Sequence, residues 1–262
     1  MPLLQARAAS RAHTAIALAV AVALALAGCS TPTETLESTI KDKPGVIRVV
    51  ATEADGDDDL LFQSPPKSVK VRMEEDATAS QVLAVFAAFK SHVESDEVSG
   101  VQVVLDGPKR VTLVTGAGTH ATATMSRDLV AAQHDSDITQ YRRQADPVLP
   151  SVELTLVPLD LEAVVAVANR YRDADEIDLV EVLSGGFTLI RDEVNEDLAF
   201  TDARERFVRR VNLRFDLTGA VIAGRGPLRV FVAPGHLAAL REYVRSNLPA
   251  GTLGRVVVRV QR

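Results

Sequence analysis

Nucleophiles, general bases and metal centres are built mainly from histidine, cysteine and clustered carboxylates, so the spacing of these residues bounds the chemistry available. Apart from His13 in the amino-terminal leader, the histidines are His92, His120, His134 and His236. They form no HxH, HxxxH or HExxH pattern, and a metal site would have to gather distant segments. His92 falls on the polar side of a helical pattern and His236 opens another, positions that suit exposed or capping roles. The acidic run Asp55, Asp57, Asp58 and Asp59 resembles a calcium loop only in charge. An EF-hand loop counted from Asp55 needs Gly where Leu60 stands and a bidentate Glu where Pro66 stands, so the run reads as solvated loop. Gly116, Gly118 and Ala121 match GxGxxA, but the neighbourhood lacks β-α-β alternation and a turn accounts for the glycines. No GxxxxGK[ST] phosphate loop and no GxSxG elbow occurs. The sequence therefore nominates no catalytic, cofactor-binding or metal-ligating residue.

Charge and aromatic content narrow the ligand classes. A formal net charge of −6 argues against nucleic acid as the main partner. Arg204, Arg206, Arg209, Arg210 and Arg214 form the one basic concentration along the chain. They read as a solvated face that pairs with Asp192, Glu193, Glu196 and Asp197 just before it. Eight Phe, three Tyr and no Trp leave few faces on which sugar rings could stack.

The amino terminus carries a different kind of chemistry. Arg7 and Arg11 precede an uninterrupted apolar run from Ala15 to Ala27, and residues 1–28 hold no acid, which is the pattern of an export signal. As a helix the run spans about 20 Å, too short for a hydrocarbon core about 30 Å thick. It ends in Leu26, Ala27, Gly28 and Cys29, and Cys29 is the only cysteine of the chain. This succession resembles the lipobox of bacterial lipoproteins. The resemblance implies that a diacylglycerol is transferred to the Cys29 thiol and that a signal peptidase cuts before Cys29. The new amino group is then commonly acylated, palmitate being among the usual chains. The chemistry fits the residues: a thiol is a strong nucleophile, and small Ala27 and Gly28 leave the backbone open to a protease. It implies a lipid-anchored protein on the extracytoplasmic side of the cell membrane. Loss of Arg7 and Arg11 with residues 1–28 takes the net charge from −6 to −8. An acidic body is repelled by anionic lipid, so attachment would depend on the acyl chains.

The remainder divides by pattern. Residues 29–45, rich in Ser, Thr, Pro, Glu and Lys, read as a flexible tether. From Val46 the chain reads as an α+β body of repeated β-α-β-β units, a mostly antiparallel sheet with helices on one face. The order resembles ferredoxin-like folds and the small envelope modules called BON domains, in topology alone. In the first copy SVKVRME at 68–74 alternates like a strand, and Thr78 with Gln81 forms a capping box. Val82, Val85, Phe86, Phe89 and Val93 share a helix face, and VQVVL at 101–105 with VTLVT at 111–115 makes a hairpin. The second copy begins near residue 152 and the third near 228. VIRVV at 46–50 and VNLRFDL at 211–217 read as extra strands. Asp146 to Pro150 reads as the boundary between a first domain, 46–145, and a second, 151–262.

Function follows from what these patterns leave. The reading favours a non-enzymatic envelope lipoprotein that docks an envelope protein or helps an assembly. Its rivals are a carrier of a small ligand or lipid in a cavity beneath the helices, and an enzyme with a scattered site around His120, His134, Asp135 and Asp137. Mass spectrometry of the native protein is expected to find an acylated Cys29 at the mature amino terminus. Unmodified chain recovered from the culture medium would refute the anchor.

Overall fold

Short β-branched runs separated by amphipathic stretches of 11 to 18 residues build an alternating fold. The computed structural model describes residues 32–53, 67–92, 98–116, 119–172, 176–248 and 253–261. Cys29, the signal segment and the acidic run at Asp55 lie outside them. Two units are distinguished: Met1–Thr35, of which only the first turn of a helix is described, and Leu36–Arg262, which holds the sheet.

Among the described residues eleven strands and six α-helices follow one another. They are α1 (Pro32–Lys41), β1 (Val46–Glu53), β2 (Lys67–Met73), α2 (Ala79–His92), β3 (Val98–Leu105), β4 (Arg110–Gly116), α3 (Ala123–His134) and β5 (Ile138–Ala145). The chain continues with β6 (Ser151–Leu156), α4 (Leu161–Arg172), β7 (Leu179–Ser184), β8 (Phe187–Asp192) and α5 (Leu198–Phe215). It closes with β9 (Gly219–Ile222), β10 (Leu228–Val232), α6 (Leu237–Asn247) and β11 (Val256–Val260). The strands form one sheet in strict chain order.

The fold is α+β, with a helix between every second pair of strands. Hairpins make β1–β2, β3–β4, β5–β6, β7–β8 and β9–β10 antiparallel. Helix crossovers return the chain to the end it left and so make the other five neighbours parallel. Three helices, α2, α4 and α6, follow equivalent strands at intervals of four strands, which is the repeat read from sequence. The smaller period is β-α-β, repeated five times. It was hidden because β5, ITQYRRQA, does not look like a strand. Its alternate Tyr141 and Arg143 face inward, and a buried arginine breaks the apolar alternation.

Three sequence expectations need correction. Residues 32–41 are a helix rather than part of a flexible tether: Leu36 and Ile40, four apart, are buried in the core, and the Glu37 carboxylate accepts the Ala51 N–H of edge strand β1 at 2.7 Å. Asp146 to Pro150 is a turn inside one sheet and not a domain boundary; the Asp146 carboxylate accepts the N–H groups of Val148 and Leu149 while β5 pairs with β6 on either side. VNLRFDL is not a strand but the end of α5. Phe207, Val208, Val211 and Phe215 keep the helical period, and Asp216 closes the helix in the left-handed region at φ 48°.

Local signals held elsewhere. The Thr78 N–H donates to Gln81 Oε1 at 2.7 Å and the Gln81 N–H to Thr78 Oγ1 at 3.3 Å, the reciprocal capping box. Asp160 accepts the Ala163 N–H at 2.9 Å. Ser184 and Phe187 face each other across a two-residue turn that begins with Gly185 at φ +53°. A Cβ on Gly219 would lie 2.3 Å from the Gly186 carbonyl oxygen, so only glycine lets β8 and β9 approach there.

The buried apolar side chains of the strands belong to one face. Val71, Val103, Leu113, Leu154, Val182, Leu189, Ile222 and Val230 are fully or almost fully buried, while their sequence neighbours point to the other side. Successive β-α-β units run in opposite directions along the sheet, yet their helices share this face. The hand of the crossover must therefore alternate, and the general preference for right-handed units is not met throughout.

Charged groups reach under the helices in three places. Arg143 of β5, buried, donates to Asp128 of α3 at 2.7 Å and reaches Glu176 after α4 at 3.5 Å. Arg191 of β8, also buried, donates to Asn169 of α4 and Glu205 of α5, each at 2.6 Å. Arg204 of α5 donates to the carbonyls of Leu253 at 3.0 Å, Gly226 at 2.9 Å and Ala223. Replacing Arg191 by Met strips buried Glu205 of its shortest partner and is expected to cost about 3–5 kcal/mol in urea unfolding. Arg191→Met with Glu205→Gln should recover most of that loss.

Candidate functional site on the uncovered sheet face

Among the described residues the helices that follow the strands lie on one side of the sheet, and no described element covers the other. The strand register places its residues in rows. Arg48 of β1 lies beside Arg72 of β2, Arg72 beside Val104 of β3, Val104 beside Thr112 of β4, and Thr112 beside Arg142 of β5. Lys70 stands two residues before Arg72, and Arg110 two before Thr112. Five exposed cations, Arg48, Lys70, Arg72, Arg110 and Arg142, thus project from the first five strands on one face. Gln102, Val104 and Thr112 form the floor of a concavity of about 570 Å³ lined by Arg48, Lys70, Arg72 and Arg110, with Arg142 beside Thr112 on the next strand.

Few acids answer these cations. Asp106, at the turn after β3, accepts from Arg72 at 2.5 Å, and that guanidinium holds its carboxyl below the ordinary carboxylate value, with help from the Gly107 N–H. Glu153 of β6 lies 3.6 Å from Arg142. Among the described residues no carboxylate pairs with Arg48, Lys70 or Arg110. Farther along, the face changes sign: Glu153 and Glu181 of β7 are register partners. Burial pushes the Glu181 carboxyl up, and the neighbouring Glu153 pushes the same way. Arg229 of β10 and Arg259 of β11 restore positive charge at the far end, beside Phe231.

The residues named from sequence are placed as follows. Arg204 is buried and bonded to carbonyls, and Arg209 pairs with Glu162 at 2.5 Å and Glu205 at 3.5 Å. Two of the five arginines, Arg204 and Arg209, are thus held by partners within the fold, and Arg206, Arg210 and Arg214 are exposed. Glu196 instead accepts the N–H groups of Gly224 and Arg225, and Asp197 caps α5. His134 is exposed at the end of α3 and His236 packs edge-on against Phe215, ring centres 6.5 Å apart. His120 lines a recess of about 360 Å³ with Leu83, Phe86, Phe89, Lys90 and Thr115, a mainly apolar setting to which the described residues add no carboxylate. His120 and His134 flank α3, a separation of about 18 Å along a 12-residue helix, so the structure does not bring them together. Asp135 instead lies 3.3 Å from Arg170. Among the described residues no group of three His, Cys, Asp or Glu side chains is placed to hold a metal, and no helix is long and apolar enough to cross a membrane. The other buried titratable pair, Tyr141 and Tyr171, has both hydroxyls pushed up by burial, Tyr171 to about 12.

Comparison with protein families, with curated proteins and with solved structures finds no match to the chain. The uncovered face therefore has to be read from its own chemistry. In sequence Lys70 and Arg72 are simply the polar positions of the alternating SVKVRME strand, whereas the summed patch depends on strand order, which no local pattern contains.

A pH test follows from Glu181. Because its folded value is raised, its protonated form suits the fold, and that contribution is present at low pH and lost as pH rises through the raised value. Glu181→Gln is expected to raise the urea midpoint near neutral pH and to leave it unchanged below the ordinary carboxylate value. A midpoint lower than wild type at neutral pH would show that the carboxylate is favourably held.

Proposed function

We propose that the protein is a lipid-anchored component of the bacterial cell envelope that acts by binding rather than by catalysis, and that its uncovered sheet face is the binding surface. The observation that carries this reading is the one-sided sheet. Among the described residues eleven strands are stacked in order, the helices that follow them lie to one side, and the other side offers charged and small side chains in regular rows. A regular array of this kind suits recognition of an extended partner, since strand spacing repeats charge at fixed intervals. The Leu26-Ala27-Gly28-Cys29 succession supports attachment to the membrane by acyl chains, which would hold such a face at the cell surface. The charge pattern supports selectivity as well, positive over β1–β5, negative at Glu153 and Glu181, and positive again at Arg229 and Arg259.

Site-specific photo-crosslinkers test the reading in intact cells. Probes at Val114 and Thr188, on the uncovered face, are expected to give defined adducts with envelope components. Probes at Arg206 and Arg210, on the helix side, should give none. Adducts confined to the helix side would overturn the choice of face.

A further inference from the structure

The positive quarter of the uncovered face has a ligand chemistry of its own. Rows two residues apart along a strand stand about 7 Å apart, and neighbouring strands about 4.8 Å, so the cations from β1 to β5 extend across about 19 Å. Four of the five are arginines, whose planar forks donate two parallel hydrogen bonds to a phosphate, and three of the five have no carboxylate partner among the described residues. The floor between them is small and uncharged, which leaves room for a chain to lie down.

We propose that this quarter of the face binds a polyanionic chain bearing phosphate groups, of the kind that phosphodiester-linked envelope polymers present. This rests on the binding reading above and adds the class of ligand. Two observations select a free chain over a bilayer surface. The whole body is acidic, so a broad anionic membrane would repel most of it. A single chain is screened beyond about 8–10 Å and interacts with the basic patch alone. Among the described residues the cations are interleaved with Val50, Val104 and half-exposed Ile47 and with no aromatic side chain, too little apolar surface to enter a membrane. That same lack of aromatic side chains on β1–β5 of this face removes the stacking platforms by which single-stranded nucleic acids are held.

The test uses the full chain purified in detergent, with fluorescently labelled long-chain inorganic polyphosphate as probe and anisotropy read over a range of NaCl concentrations. Wild type is expected to bind, with affinity falling steeply with salt. Arg48→Ala, Lys70→Ala and Arg110→Ala together should weaken binding by about tenfold or more. They should also reduce the slope of log affinity against log salt by about 2. Gln102→Glu, which puts a negative charge on the floor without removing a cation, should weaken binding as well and covers the case in which the triple variant fails to fold. Arg229→Ala with Arg259→Ala, at the far end of the same face, should bind as wild type does. No binding of polyphosphate, equal binding by folded triple variant and wild type, or an equal loss in the far-end variant would each overturn the proposal. Variant-sensitive binding to vesicles containing phosphatidylglycerol, with none to polyphosphate, would overturn it in favour of a membrane surface. Crosslinks from Val114 and Thr188 are read independently, so failure here leaves the choice of face standing.

Discussion

Everything in this molecule depends on the parity of its strands. Through most of the sheet the buried residues occupy alternate positions, and the register sets those positions on the same side. Each helix must cover that side, because burying a Val or Leu side chain contributes about 1.5–3 kcal/mol and each strand offers two or three. Placing α3 on the opposite face would leave Val111 and Leu113 in water and bury Arg142 instead. Such a penalty outweighs the preference for one hand of crossover, which explains why the hand alternates along the sheet. A bare second face is the consequence, and with it the surface on which function is proposed.

A one-sided layer of helices has seams, and the buried arginines sit in them. Arg143 reaches from the sheet to α3 and to the segment after α4, and Arg191 reaches to α4 and α5. Arg204 takes carbonyl groups from the turns around β9, β10 and β11. A guanidinium has five N–H donors in a fixed fork, so it can bond two elements at once where an aliphatic side chain would only fill space. Such pairs add little net stability over a well-packed apolar alternative, because both ions lose their water. Their effect is on geometry: an arginine fixed at both ends sets the register of neighbouring helices along the seam.

Much of this architecture was legible in the sequence, for reasons that differ by element. Strands with clean alternation such as SVKVRM and VTLVT, the capping box at Thr78 and Gln81, and the two-residue turn at Gly185 are local signals, and the chain folds locally as they specify. The failures lie where a distant contact overrides the local pattern. Leu36 and Ile40 look isolated in a polar stretch and become core residues only because the sheet lies beneath them. VNLRF has the look of a strand, but its apolar residues continue the period set by Phe207 and Val208. ITQYRRQA hides a strand because Arg143 is buried by partners that come from α3 and from Glu176. The basic face was invisible for the same reason, since Arg48, Lys70, Arg110 and Arg142 are up to 94 residues apart in sequence and adjacent only through strand order.

Net charge and local charge then have opposite meanings for this protein. An overall charge of −6 describes how the body as a whole meets another large charged surface, since the fields of many groups add over distances that salt has not yet screened. At contact the relevant distance is a few ångströms, and only the groups lining the contact count. Five exposed cations with two acids at their margin make the first five strands positive at that range. A sheet that stacks its strands in chain order can segregate charge in this way at little cost, because outward positions carry no packing constraint and each hairpin adds two more of them. The acids absent from this quarter appear at Glu153 and Glu181, where they meet each other across a parallel ladder and burial with the neighbouring carboxylate pushes the Glu181 carboxyl up. That acidic strip bounds the positive region at β6 and β7, so an anionic chain that crosses β1–β5 is confined to the first five strands.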